Sequence, residues 1–238
     1  MADTIKIPNK GNVKIVAHRG LSGLEMENTN TAFVAAGNRS YFGIETDIRN
    51  TLDGKFVLFH DDNTSRIAGG YTVKIPETPY DLVRSVQLDP NRTDYRVADP
   101  KEYFAICKHY DKVAVFEIKN APSREEVAEI CKIVEKSGHL DKTVFIAFNF
   151  DALVYVREIF PDSVCQFLTW DASDENLIPR LVEHRFDLDI GFPAITKELV
   201  DKCHANGIEV NCWTVNTIED AERVIDCGVD YITTNILE

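Results

Sequence analysis

The sequence predicts an α/β fold built on a parallel sheet. Short runs rich in β-branched and aromatic residues alternate with helical patterns from end to end, which is typical of β-α units rather than of a sandwich. A chain of 238 residues with 44% hydrophobic content can bury a sizeable core, and this length suits one barrel as well as two smaller domains. The number of candidate strands is close to the eight of a (β/α)8 barrel.

The candidate strands, in chain order, are 13–17, 43–48, 55–60, 112–118, 143–148, 164–169, 187–190, 208–214 and 230–233. This is one strand more than such a barrel holds, and two places are irregular. The 187–190 run is weak, and the connection between 43–48 and 55–60 has no room for a helix. If Asp53-Gly54 forms a two-residue hairpin turn, Asp47 faces His60 across the pair. A parallel pair with an extended crossover would also bring these two side chains together.

The predicted helices have recognisable beginnings and ends. Ser123 and Glu126 fit a capping box, and Gly138 ends the helix that begins there. Asn28 and Thr29 precede another predicted helix, where both residue types are typical caps.

The stretch 61–101 interrupts the regular alternation. It is rich in Pro, Gly, Asp and Arg and is too long for an ordinary β-α loop. Because it follows the end of the third predicted strand, we expect an inserted region, a candidate lid over the barrel mouth where active sites of such barrels lie.

Composition limits the classes of partner. The formal net charge of −13 and pI near 4.9 oppose a nucleic-acid or anionic-membrane surface, so an anionic small molecule would need local positive charge to bind. Six cysteines without a C-x-x-C motif are typical of reduced core thiols. No apolar run is long enough for a signal peptide or a membrane span, and no exposed aromatic cluster is expected. We therefore expect a cytoplasmic protein without stable membrane insertion; the sequence does not indicate its oligomeric state.

A histidine ends each of two predicted strands. His18 lies in H-R-G after the first strand, and His60 lies in H-D at the end of the third. A lone histidine in such a place is more often structural, but a pKa near ~6.5 also suits proton transfer. The acids described next favour the second interpretation.

Three acidic residues lie on two predicted strands that are otherwise apolar. Glu45 and Asp47 are two residues apart and so share one face of a strand, and Glu117 lies in A-V-F-E-I-K. Alone, the first pair could be a solvated strand face. In a buried strand they must be paired with a cation, because an unpaired buried charge is strongly destabilising. Three carboxylates favour one hard divalent cation, Mg²⁺ or Ca²⁺, over zinc.

Three further residues could bind a substrate. Arg19 follows His18 at a strand end, where its guanidinium could contact two phosphate oxygens. Lys119 shares a strand face with Glu117, so a simple Glu-Lys pair is the alternative. Trp213 in C-W-T-V-N is more often a core residue than a ligand platform.

Together these motifs resemble the glycerophosphodiester phosphodiesterase family in order and spacing over nearly the whole chain. They are H-R-G at 18–20, E-N-T at 27–29, E-T-D at 45–47, T-x-D-G at 51–54, H-D at 60–61, E-I-K at 117–119, W-T-V-N at 213–216 and G-V-D-Y-I-T-T at 228–234. The resemblance implies a single (β/α)8 TIM-barrel domain, 1–238, with the inserted loop region 61–101 after the third strand. It implies hydrolysis of glycerophosphodiesters, such as glycerophosphocholine or glycerophosphoethanolamine, to glycerol 3-phosphate and an alcohol.

The resemblance also implies a role for each candidate residue. His18 and His60 become the acid-base pair, and the metal ligands are Glu45, Asp47 and Glu117. Arg19 and Lys119 become phosphate contacts, and Trp213 a wall against the glycerol. One histidine would take the proton of the metal-activated glycerol 2-hydroxyl as it attacks phosphorus, and the other would protonate the departing alkoxide. Water would then open the cyclic phosphate, with the roles reversed.

The chain departs from the family pattern at Met26 (usually Pro), Ala147 (usually Ser) and Asn235 (usually Asp), none of which removes a proposed ligand or histidine. Three alternatives stay open at this stage. They are a phospholipase-like phosphodiesterase acting on lipids, a non-catalytic barrel that binds a phosphate ligand, and a scaffold with a buried charge network. The acidic surface argues against the first, and two proton carriers argue against the others.

Overall fold

The computed structural model describes residues 3–68, 70–120 and 122–238. Their strands are β1 (Lys14–Ala17), β2 (Gly43–Asn50), β3 (Phe56–Leu58), β4 (Gln87–Asp89), β5 (Arg92–Arg96), β6 (Val113–Ile118), β7 (Thr143–Ala147), β8 (Val164–Thr169), β9 (Asp187–Gly191), β10 (Val210–Trp213) and β11 (Tyr231–Thr234). All but β3, β4 and β5 are parallel neighbours in one sheet, which closes because β1 pairs with both β11 and β2. The predicted (β/α)8 barrel is confirmed.

The helices of the described residues are α1 (Asn30–Gly37), α2 (Tyr80–Arg84), α3 (Pro100–His109), α4 (Arg124–Ser137), α5 (Phe150–Ile159), α6 (Leu177–His184), α7 (Lys197–His204) and α8 (Ile218–Cys227). All except α2 connect successive barrel strands. Ser123 and Glu126 form the predicted capping box of α4, and Gly138 ends that helix at φ +63°. Thr29 caps α1 as predicted, whereas Asn28 has a different role described below.

The two irregular places in the strand pattern have different outcomes. The weak 187–190 run is the barrel strand β9, which pairs with β8 and β10. The surplus strand is β3, which lies outside the barrel and pairs antiparallel with the end of β2. The chain therefore has the eight strands that the barrel requires.

The observed register of the β2–β3 hairpin differs from the predicted register by one residue. Thr51 N–H donates to the carbonyl of Lys55 and Phe59 N–H to that of Asp47, so Asp47 faces Phe59 and not His60. The turn has three residues rather than two, because Gly54 adopts a left-handed φ of +70° and its N–H bonds back to Thr51.

Two layers of side chains surround the barrel wall. Outward-facing residues pack against the helices in the main core, and inward-facing residues fill the barrel with Val16, Val115, Val144, Ile146, Leu168 and Tyr231. Along β2 the alternation is strict: Ile44 and Ile48 belong to the outer core, so Glu45 and Asp47 point into the barrel. Strand alternation thus places both acids inside the barrel.

The inserted region contains a short 3₁₀ turn, α2 and the hairpin of β4 and β5. It has its own hydrophobic cluster, which includes Val57 and Phe59 next to β3 together with Ile75, Val83 and Val97 from the insertion. Through this cluster, the insertion packs against β3 of the β2–β3 hairpin.

Two further expectations concern cysteines and membranes. All six cysteines have free thiols, and all except Cys227 are buried. Among the described helices, none is long and apolar enough to cross a membrane. The cytoplasmic location stays a prediction.

Candidate active site

A cavity of about 400 Å³ opens at the carboxyl ends of the barrel strands. Seven of the eight predicted site residues line it, and the eighth, Asp47, lies within the acidic cluster beneath. The lining residues are His18, Arg19, Glu45, His60, Glu117, Lys119, Ile146, Phe148, Leu168, Trp170, Asp189, Trp213, Thr214 and Thr233. None of the described residues between 61 and 101 is among them, so a lid role for the insertion stays a prediction.

The three predicted acids form one cluster. Glu45 and Asp47 come from β2, and Glu117 comes from β6, where it is the register partner of Asp47. Each acid offers a carboxylate oxygen such that all three oxygens lie within 4.8 Å of one another. The side chains are buried, with residue exposures of 2%, 0% and 8% in that order.

The acids titrate differently because their neighbours differ. Burial, with the charges of Asp47 and Glu117, raises the pKa of Glu45 well above its usual range. Burial and the charge of Asp47 raise the pKa of Glu117 to about 8. Burial also disfavours ionised Asp47, but the charges of Lys119 and Arg19 outweigh it and hold its pKa well below normal. Without a further cation, the cluster therefore retains protons.

Two cationic side chains flank the acids. The Lys119 ammonium lies 2.8 Å from Glu117 and 3.5 Å from Asp47. The Arg19 guanidinium lies 3.6 Å from Asp47, and its backbone N–H donates to Glu45 at 2.7 Å. Both side chains are largely buried and line the cavity. They place two positive charges beside the acidic cluster, at the wall of the cavity.

Asn28 has a role beyond the cap predicted from sequence. It is 1% exposed, and its amide donates to Asp47 at 2.7 Å while its carbonyl accepts from Thr46 at 2.6 Å. Its φ of +54° is a left-handed conformation that asparagine tolerates. Asn28 thus fixes the orientation of one acid.

His18 is held by a neutral partner. Its Nδ1 lies 2.7 Å from the amide oxygen of Asn235, which also accepts from the Ser22 hydroxyl at 3.0 Å. Because that oxygen can only accept, Nδ1 carries the proton and Nε2 is left with its lone pair. Burial and the neighbouring Arg19 charge lower the pKa of His18 to about 4.

His60 is held by a charged network. Its Nδ1 lies 2.7 Å from the Asp61 carboxylate, which pairs at 2.7 Å with Arg66, and Arg66 pairs at 2.6 Å with Glu27. Arg49 donates to the His60 carbonyl at 2.8 Å from Nε. Burial lowers the pKa of His60, although the Asp47 charge opposes the shift. The two histidines thus share one cavity but have different partners.

An aromatic cluster of Phe148, Trp170 and Trp213 forms the opposite wall of the cavity. The ring centroids of Trp170 and Trp213 are 4.1 Å apart, and those of Phe148 and Trp213 are 5.6 Å apart. Trp170 is 67% exposed and Phe148 is 42% exposed. The expectation that the chain has no exposed aromatic cluster is wrong, because three residues distant in sequence meet at the ends of β7, β8 and β10.

A model of the glycerophosphoryl diester phosphodiesterase family matches residues 18–238. The chain belongs to this family. The resemblance of the motifs is therefore confirmed, as is the predicted enzyme class, a phosphoric diester hydrolase acting on glycerophosphodiesters.

Relatives span the full domain of this glycerophosphodiester phosphodiesterase family member. An uncharacterized Bacillus subtilis (strain 168) protein, YqiK, is 29% identical, with 94% of this chain and 96% of the relative covered. A glycerophosphodiester phosphodiesterase of Caldanaerobacter subterraneus subsp. tengcongensis is 28% identical, with 93% of each chain covered.

Solved structures show the same fold. A glycerophosphodiester phosphodiesterase from Thermotoga maritima is 27% identical with a TM-score of 0.77, covering 94% of each chain. An Oleispira antarctica phosphodiesterase, solved with its product sn-glycerol-3-phosphate, is 23% identical with a TM-score of 0.86, covering 93% of this chain and 92% of that one.

Several residues of this family member's cavity were not predicted from sequence. Asp189 could have been found, because D-L-D-I on β9 places two acids at alternate positions of a strand, as E-T-D-I does on β2. Asn235 does not line the cavity but contacts His18, and the sequence shows it only as a departure from the family pattern. Phe148 and Trp170 carry no local signal, since their exposure depends on the closing of the barrel.

Proposed function

We propose that this enzyme hydrolyses glycerophosphodiesters of the choline or ethanolamine type to glycerol 3-phosphate and the free alcohol, using one divalent cation. The observation that supports this most directly is the cluster of Glu45, Asp47 and Glu117 beside two histidines in one cavity. Metal dependence, the head group and the residue roles below all belong to the proposal.

The three acids fit a divalent cation. The Oε1 atom of Glu45 and the Oδ1 atom of Asp47 are buried and have no hydrogen-bond donor in the described parts of the chain. A ligand set made only of carboxylate oxygens favours Mg²⁺ or Ca²⁺ over softer ions. When bound, such a cation would offset the charge of the acids, polarise the phosphate and lower the pKa of a nearby hydroxyl.

The cationic side chains bind and orient the phosphate in this proposal. Arg19 and Lys119 lie on either side of Asp47, so a phosphate seated between them meets charge-assisted donors from two directions. Trp213 forms the wall against the glycerol moiety. These contacts fix the phosphorus atom in front of the two imidazoles.

The histidines transfer protons in two steps. The glycerol 2-hydroxyl attacks phosphorus and gives its proton to one imidazole, while the other imidazole protonates the departing head-group alkoxide. The products are a cyclic phosphate and a free alcohol. Water then adds to phosphorus with the imidazole roles exchanged, which opens the ring to glycerol 3-phosphate. Asn235 and Asp61 keep both rings oriented throughout.

One assay tests reaction, substrate and cofactor together. Purified protein is stripped with EDTA and supplied with Mg²⁺, Ca²⁺ or neither, and glycerol 3-phosphate release is measured from a panel of glycerophosphodiesters. We expect release only with a divalent cation. Undiminished rates after exhaustive chelation would contradict the metal, and no release from any substrate would contradict the reaction.

The aromatic cluster supports a second candidate, a phosphodiesterase that acts on lipids. Phe148 and Trp170 are exposed at the mouth, where they could contact an acyl chain or a bilayer surface. The net charge of −13 opposes binding to anionic membranes. Co-sedimentation with zwitterionic liposomes and release of choline from lysophosphatidylcholine would favour this candidate.

A further inference from the structure

Asp189 is a buried acid that the proposed chemistry leaves unused. It lies on β9 and is the register partner of Leu168 on β8, which faces the barrel interior, so Asp189 faces inward as well. It lines the same cavity as the histidines but is not a member of the acidic cluster. The residue is 1% exposed.

The carboxyl of Asp189 has an oxygen that lacks a hydrogen-bond donor among the described residues. Its Oδ1 atom accepts no hydrogen bond from the described residues. Two inward-facing side chains of nearby strands have other partners: the amide of Asn211 on β10 donates to Gln166 at 3.2 Å, and the hydroxyl of Thr233 on β11 donates to Asn211 at 3.2 Å. The amide nitrogen of Gln166 on β8 is also buried without an acceptor among the described residues, but Gln166 does not line the cavity. A buried acceptor in this state is destabilising unless a ligand supplies the donor.

Trp213, in contrast, has a hydrogen-bond donor that lacks an acceptor among the same residues. Its Nε1–H is buried and has no acceptor in the part of the chain that the structure describes. Trp213 follows Asn211, the register partner of Asp189, by two residues on the adjacent strand. An acceptor and a donor, both unpartnered, therefore belong to neighbouring inward-facing positions of one cavity wall.

We propose that Asp189 and Trp213 bind the terminal hydroxyl of the substrate's glycerol and so select deacylated glycerophosphodiesters over their acylated counterparts. A hydroxyl can donate to Asp189 and accept from Trp213 at once, whereas the ammonium of ethanolamine can only donate and the quaternary ammonium of choline has no N–H to donate. The depth of Asp189 also fits the glycerol end, because the exposed Trp170 stands at the rim on the adjacent strand.

Burial and the Glu117 charge raise the pKa of Asp189 well above its usual range. The inference does not depend on this shift, since the carboxyl retains an acceptor oxygen in either protonation state. An ester at the terminal position removes the donor and adds bulk, leaving the buried carboxyl unpaired. Sites built to bind a hydroxyl reject analogues that lack it for this reason.

This inference rests on the proposed function, and its test uses three soluble substrates in the presence of Mg²⁺. They are glycerophosphocholine, its 1-deoxy analogue in which propane-1,2-diol carries the phosphocholine, and 1-acetyl-glycerophosphocholine. We expect the wild type to prefer the first by roughly 10- to 100-fold in kcat/KM. Asp189→Leu should lose this factor, so that it cleaves glycerophosphocholine no faster than the deoxy analogue, and circular dichroism controls for folding.

Two conservative variants sharpen the test. Asp189→Asn keeps an acceptor oxygen and should retain part of the preference, and Trp213→Phe keeps the ring but loses the N–H donor and should reduce it. An equal preference in the wild type and Asp189→Leu would overturn the subsite.

A binding measurement separates the subsite from the reaction. Calorimetry compares glycerol 3-phosphate with propane-1,2-diol 1-phosphate, independently of turnover. If no substrate is cleaved but Asp189→Leu selectively weakens glycerol 3-phosphate, the proposed reaction fails while the subsite stands. If cleavage occurs and both phosphates bind every variant alike, the subsite fails and the reaction stands.

Discussion

The two sides of the barrel mouth satisfy their polar groups in different ways. On the side of β1, β2 and β6, each charged side chain has at least one polar partner, as Lys119 has in Glu117 and Asp47, and His18 pairs with Asn235. The single atoms there that lack a hydrogen bond from the described residues, Arg19 Nε, Glu45 Oε1 and Asp47 Oδ1, surround the proposed cation site. On the side of β8 to β10, Asp189 and the Trp213 N–H have no partner among the described residues, and aromatic rings form the rest of the wall.

We call the side of β1, β2 and β6, with His18, His60 and the three acids, the reactive side. The side of β8 to β10, with Asp189 and Trp213, is the selecting side, because its groups are proposed to recognise the substrate. Groups that transfer protons or hold a cation must keep one geometry before substrate arrives, and mutual pairing supplies that preorganisation. Groups that recognise a substrate gain most when their only good partner is the substrate itself. The variants below test whether the two sides of the mouth are functionally distinct, beginning with the largest expected effect.

Removal of either imidazole should abolish most of the catalytic activity. His18→Ala and His60→Ala should each lower kcat by about 10²- to 10⁴-fold, because each removes one proton carrier. Steady-state assays on glycerophosphocholine measure the loss, and circular dichroism confirms folding. His109→Ala, an exposed histidine outside the cavity, is the matched control and should keep full activity. Near-normal turnover by either site variant would refute the acid-base pair.

Glu45→Gln should lose activity and gain stability. Without metal, burial and repulsion by Asp47 and Glu117 penalise the ionised form of Glu45 that the unfolded chain prefers at neutral pH, and a neutral amide carries no such penalty. We therefore expect about 1 kcal/mol of added stability and a Tm ~2–4 °C higher. Activity should fall at least about 100-fold because a cation ligand is lost. Calorimetry with and without Mg²⁺ measures both states, with exposed Glu135→Gln as control. A lower Tm in the metal-free variant would contradict the repulsion.

Asn235→Asp should shift the pH dependence. A carboxylate against Nδ1 stabilises the imidazolium, so the pKa of His18 rises from its lowered value. The limb of the kcat/KM profile that His18 governs should therefore move to higher pH. A shifted acidic limb identifies His18 as the first base, and a shifted basic limb identifies it as the first acid. An unchanged profile would mean that Asn235 does not act through His18.

Trp170→Leu should have the smallest effect. The ring is 67% exposed, so stability should change by less than about 0.5 kcal/mol. Loss of the rim contact should raise KM roughly two- to tenfold with kcat nearly unchanged. Tyr71→Leu removes an aromatic ring that is 70% exposed and does not line the cavity, and it should leave KM unchanged. An equal effect of both variants would exclude a substrate contact by Trp170.

The reactive side could be predicted from sequence because its signals are local. Glu45 and Asp47 share a strand face by alternation, and the same rule applies to Glu117. The register of the hairpin could not be predicted to the residue, since two- and three-residue turns around Gly54 differ only in backbone conformation.

The selecting side depends on closure of the barrel, which brings residues from β7 to β10 together. Whether the Asp189 carboxyl has a partner depends on distances between side chains of neighbouring strands. On the other side of the mouth, the contact of Asn235 with His18 likewise joins the ends of β11 and β1, which are far apart in the sequence. No local pattern encodes those distances, so they emerge only from the three-dimensional structure.

His60 is attached to an element outside the barrel, next to β3 and an insertion with a hydrophobic cluster of its own. A cooperative unit of this kind can open without global unfolding of the protein. Transient detachment of that unit would carry away one proton carrier while the acidic cluster persists. Amide hydrogen exchange faster in 56–97 than in the barrel strands would reveal such an uncoupling, and substitutions in that peripheral unit would then tune turnover remotely.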